Sequence, residues 1–87
     1  MDGKVIEEYV REALRHARGG AISLAFWKLS KWASKNGLPV DDKLRVKFPK
    51  LVRTKFGPAL IGERRGKGGA WTFLLSVPKL RAMGLEG

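Results

Sequence analysis

DDKLRVKFPKLVRTKF, residues 41–56, is followed at once by Gly57-Pro58. Wound as a helix at about 100° per residue, it sets Leu44, Phe48, Leu51, Val52 and Phe56 on one side and Lys43, Lys47, Lys50, Arg53 and Thr54 on the other. The spacing predicts an amphipathic helix over 41–56 with an apolar back and a cationic front. Asp41 or Asp42 can cap its start by accepting from a free backbone N–H, and Gly57 can supply the left-handed residue that ends it. Pro49 falls in the middle, where it removes one donor and crowds the preceding turn at a cost of roughly 3 kcal/mol. A kink or break is expected there, with Pro49 opening a second helical piece.

Toward the N-terminus, Asn36-Gly37 closes a helix expected over 23–36 and capped by Ser23. Its apolar arc is Ala25, Phe26, Leu29, Trp32 and Ala33, with Lys28, Lys31 and Lys35 along another edge. Trp27 lies outside that arc and is expected to pack under the hairpin described below, the alternative being an exposed stacking surface. Leu38-Pro39-Val40 forms a turn, so roughly four residues separate this helix from the basic one, a spacing that suits two steeply crossed helices. Further back, Val5, Ile6, Tyr9, Val10, Ala13, Leu14 and Ala17 mark a first helix over 4–17, with Asp2 as its cap and Gly19-Gly20 as its stop. Glu7 and Glu8 suit its positive end, and Arg15, His16 and Arg18 its negative end. His16, the only histidine, is read as a dipole partner rather than a ligand. Ala21-Ile22 allows only a fragment of strand.

Beyond Gly57-Pro58 the period changes to that of a β-hairpin over 59–77. Ala59–Arg64 is extended, Arg65-Gly66-Lys67-Gly68-Gly69 is a cationic turn, and Ala70–Val77 is rich in strand formers. Trp71, Phe73 and Leu75 alternate with Ala70, Thr72 and Leu74, so one face should bury aromatic rings on the helices. The tip glycines let backbone approach a phosphate closely, with Arg64, Arg65 and Lys67 supplying charge; otherwise they only make the turn. Pro78 ends the strand, and Lys79–Met83 can form a last helical turn.

Eighty-seven residues make one domain, 1–87, with a thin core. The net charge is +10, and it is uneven: residues 1–42 hold seven Lys/Arg against six Asp/Glu, residues 43–87 eleven against two. Such a field attracts polyanions, and nucleic acid is the commonest soluble one. No stretch reads as a membrane span or signal peptide, which gives the expectation of a cytoplasmic, nucleoid-associated protein without a membrane partner. The absence of cysteine excludes disulfides and thiolate metal sites. One asparagine, no glutamine and two methionines suit a thermophilic source.

In element order and charge placement nearly the whole chain resembles a winged helix domain: a three-helix, α+β helix-turn-helix with a C-terminal β-hairpin wing. Its short, basic, cysteine-free character is similar to that of small archaeal winged helix proteins that bind DNA. The resemblance implies that the basic helix enters a major groove through Lys43, Lys47, Lys50, Arg53 and Thr54, and that the wing reaches a neighbouring groove or the backbone through Arg64, Arg65 and Lys67. Sequence is read chiefly by Arg on guanine and by Asn or Gln on adenine, whereas this face is mostly lysine. The expected function is binding of double-stranded DNA with low sequence specificity, in a nucleoid, replication or transcription accessory role. A structural RNA-binding or ribosomal protein is the first alternative, and an adaptor in a replication, polymerase or transcription complex the second. No enzyme and no cofactor is expected, since there is no Cys, one His and no carboxylate cluster. The short tail after Pro78 suits a monomer or a weak homodimer.

Overall fold

The computed structural model describes residues 2–85, apart from the side chains of Asp2 and Lys67. Four α-helices, α1 (Asp2–Arg15), α2 (Phe26–Lys35), α3 (Asp42–Phe56) and α4 (Val77–Ala82), surround three strands, β1 (Ala21–Ala25), β2 (Leu60–Arg65) and β3 (Trp71–Ser76). The strands form one antiparallel sheet in the order β1-β3-β2. The class is therefore α+β, and β3, the last strand in the chain, is the central one.

The core is wholly apolar. Ile6, Val10 and Leu14 of α1, Leu29 of α2, Phe48 and Val52 of α3, and Phe73 and Leu75 of β3 are buried in one cluster. These are the apolar faces that helical and strand periodicity predict. Phe48 lies at its centre, its ring 5.6 Å from Phe26 and 5.8 Å from Phe73. Tyr9 meets Trp32 edge-on at 5.5 Å, and burial pushes its phenol up from the ordinary value.

Several boundaries differ from expectation. The strand fragment at Ala21-Ile22 is a full five-residue strand, with Ala21–Ala25 paired against Thr72–Ser76. Helix α2 consequently starts at Phe26 rather than Ser23, and Ala25 occupies its N-cap position without a side-chain bond. Ser23 is in the strand, where its Oγ accepts from Lys28 Nζ at 2.6 Å. At the other end of α2, Gly37 takes a left-handed φ of +67°. There the Leu38 and Gly37 N–H groups donate to the Ala33 and Ser34 carbonyls, closing the helix with two bonds.

Helix α3 is not broken at Pro49; it runs uninterrupted from Asp42 to Phe56. Leu44, Phe48, Val52 and Phe56, on both sides of the proline, are buried in the core. Asp41 caps it, its Oδ1 accepting from the Leu44 N–H at 2.9 Å. Gly57 does not turn left-handed: at φ −49°, ψ −47° it continues into a 3-10 turn, Gly57–Ala59. Helical conformation is disfavoured for a residue that precedes proline, and glycine, lacking a Cβ, takes it before Pro58 at less cost. Asp2, expected as a cap of the first helix, already belongs to α1, and its side chain lies outside the described residues.

The hairpin forms as read, with a bulge between Leu60 and Gly62 that leaves Ile61 half exposed. Its tip is a tight turn, Lys67–Gly69, tied by Gly66 N–H to the Ala70 carbonyl at 2.7 Å. Ser76 Oγ accepts from the Lys79 N–H at 3.4 Å to start α4, which extends the expected last turn and buries Val77 and Leu80, with Leu85 beyond it. Among the described residues, no helix is long and apolar enough to cross a membrane.

Candidate nucleic-acid interface

The cations of α3 divide between two edges. Successive helical residues turn about 100°, which places Lys43, Lys47, Lys50 and Thr54 within one arc of about 60°, and Arg45, Pro49 and Arg53 on another edge. Lys43, Lys47, Lys50 and Thr54 are exposed. The second edge carries side chains that meet the hairpin.

Arg53 shows this most clearly. Its Nη2 and Nε donate to one carboxylate oxygen of Glu63 on β2, at 2.6 and 2.9 Å. Its guanidinium carbon lies 5.0 Å from the Trp71 ring centroid and 5.7 Å from that of Phe73. Arg53 therefore sits apart from the lysines with which helical spacing had grouped it and ties α3 to both strands of the hairpin. Glu63 and Glu86 are the only acidic residues after Asp42, and Glu63 is committed to this contact.

On the hairpin, Arg64 and Arg65 are exposed and stand opposite Thr72 and Trp71. Arg65 also lies over Trp71, 5.7 Å from the centroid of the ring that Arg53 approaches from α3. Lys67 begins the tip turn, and its side chain lies outside the described residues. Gly68 and Gly69 have φ of +75° and +80°, a conformation glycine adopts at little cost. An added Cβ at Gly69 would also come within 3.3 Å of Arg65 Nη2.

Trp27, expected to pack under the hairpin, is instead 61% exposed. Lys28 Nζ stands 5.6 Å from its ring centroid. With Val46, 76% exposed, Trp27 borders a cleft of about 360 Å³ between the start of α2, the Pro49 edge of α3 and the hairpin tip. The cleft, which Arg45 also lines, is not visible in the helical wheel, because it depends on where the hairpin lands. A larger hollow of about 460 Å³ lies between α1 and the turn before α3, but Lys4, Glu8 and Asp41 give it mixed charge.

His16 is exposed and its Nε2 lies 3.1 Å from Glu12 Oε1, a local contact along α1. Among the described residues, no group of three or more His, Cys, Asp or Glu side chains could hold a metal ion. No protein family, curated protein or solved structure matches the chain.

Proposed function

We propose that the chain is a winged helix protein that binds double-stranded DNA with low sequence specificity, α3 being its groove helix and the β2-β3 hairpin its wing. The observation that carries this reading is the charge displayed by α3 and the hairpin. Lys43, Lys47 and Lys50 are exposed on α3, Arg64 and Arg65 are exposed on the hairpin, and the nearby carboxylate of Glu63 is engaged by Arg53. A helix and a hairpin tied together by Arg53 offer a phosphate backbone cations from two elements. The order of helices and strands, with β3 between β1 and β2, suits the same reading.

Lysine-dominated contacts hold phosphates without reading base edges, so affinity should vary little with sequence and steeply with salt. The test is fluorescence anisotropy on a blunt duplex, a structured RNA and a single strand across a salt series. Wild type is compared with a variant in which Lys47, Lys50, Arg64 and Arg65 are changed to alanine. Tight duplex binding is expected, with a log–log salt slope that flattens in the variant by about 0.9 for each phosphate it no longer neutralises. Stronger binding to structured RNA would transfer the same surface to an RNA partner, and a slope unchanged in the variant would refute it.

A further inference from the structure

We propose that the cleft between α2, α3 and the hairpin tip receives one unpaired base of a bound strand, stacked on Trp27, so that the protein prefers duplexes carrying a single-stranded extension. This rests on the nucleic-acid reading above and names the part of the substrate that the cleft would take.

The first ground is exposure. Trp27 and Val46 are large apolar side chains left in solvent, although the remaining tryptophans, Trp32 and Trp71, pack against the core. An exposed indole beside a cleft is a stacking platform that accepts any base, because every base has a flat π face. The second ground is size. At about 360 Å³ the cleft is at the small end of the range for ligand sites, roughly 300–1,000 Å³, which suits one ring system.

The third ground is charge. Among the described residues the cleft is walled by apolar and aromatic groups, with Arg45 the one charged side chain and no carboxylate lining it. Lys28, whose Nζ donates to Ser23 Oγ, lies 5.6 Å from the Trp27 ring centroid. Arg45 pairs with Asp42 at 3.4 Å on the surface, and such exposed pairs add little stability. An apolar slot with a cationic rim complements a nucleotide, which is flat and apolar at the base and anionic at the backbone.

Position supplies the last ground. One wall is the Arg45–Pro49 edge of α3 and another is the Gly68-Gly69-Ala70 tip, so the cleft lies between the two elements that carry the proposed phosphate contacts. The tip presents no side chain at Gly68 or Gly69 to block it.

The experiment compares a blunt duplex, the same duplex with a three-nucleotide extension, and one whose extension has the same phosphates but abasic sugars. Wild type, Trp27→Ala and Trp27→Phe are measured by anisotropy, with 2-aminopurine in the extension as a stacking probe. Wild type should bind the base-bearing extension about tenfold more tightly than the abasic one, with quenched 2-aminopurine emission. In Trp27→Ala that ratio should fall close to one, and Trp27→Phe should keep most of it. Duplex binding with a ratio near one in wild type would overturn the base-binding proposal and leave the duplex reading standing. A ratio that survives in Trp27→Ala would also overturn it, because the base would then sit elsewhere. Failure to bind any duplex at low salt would remove both readings.

Discussion

Arg53 separates structure from recognition at the scale of single residues. Its charge, exposure and place on α3 group it with Lys50, yet its guanidinium is held by Glu63 and two aromatic rings while Lys50 is exposed on the other edge. An exposed ion pair adds at most about 1 kcal/mol, and a cation over a ring adds a similar amount. Arg53→Ala should therefore lower stability by about 1–2 kcal/mol in urea denaturation, whereas Lys50→Ala should leave the midpoint almost unchanged. In duplex binding at matched salt the order should reverse, with Lys50→Ala the weaker binder. An Arg53→Ala protein of unchanged midpoint whose affinity fell as far as that of Lys50→Ala would show that Arg53 is a phosphate contact after all. Glu63→Gln probes the same junction from the other side. It removes the carboxylate that holds Arg53 and should steepen the salt slope by up to about 0.9 if the released guanidinium reaches a phosphate.

At the scale of elements, Pro49 is the local rule that α3 breaks. Proline cannot donate to the Arg45 carbonyl, and its ring crowds that turn, yet the helix passes through it. The core contacts of Phe48 and Val52 offset the cost. Pro49→Ala should therefore raise stability by about 1–3 kcal/mol, read as a higher urea midpoint at unchanged slope. A lower midpoint would mean that the ring is needed where it lines the cleft beside Val46 and Trp27. The helices and the hairpin were legible because their signals are local and periodic: the 3.6-residue rhythm of Leu44, Phe48, Val52 and Phe56, and the alternation of Trp71, Phe73 and Leu75. β1 was not, because Ala21–Ala25 is a strand only by pairing with Thr72–Ser76, some fifty residues away by sequence number. Ser23 carries a strong local capping signal, and the pairing overrides it. Of the candidate site, the exposure of the lysines and wing arginines was legible, because local spacing puts them on the solvent side of α3 and at the hairpin tip. The partner of Arg53 and the exposure of Trp27 were hidden because both are set by how the hairpin packs.

For the whole molecule, the consequence of a +10 charge is that folding and binding should respond to salt in opposite directions. Eleven of the eighteen cations lie in residues 43–87, so the second half repels itself whenever no polyanion is bound. The core beneath it is apolar throughout, with no buried polar or charged residue among the described residues for salt to weaken. Screening should therefore stabilise the free protein: as salt rises from about 0.05 to 0.5 M, where the Debye length shortens from well above 10 Å to only a few ångströms, Tm should increase by a few degrees. Over the same range duplex affinity should fall by several powers of ten, because each released counterion counts against the complex. Changing Lys47, Lys50, Arg64 and Arg65 to alanine should flatten both dependences together, since the same side chains cause the repulsion and make the contacts. If the variant flattened the binding slope but kept the wild-type rise in Tm, the self-repulsion would lie elsewhere on the molecule and the two effects would have separate sources.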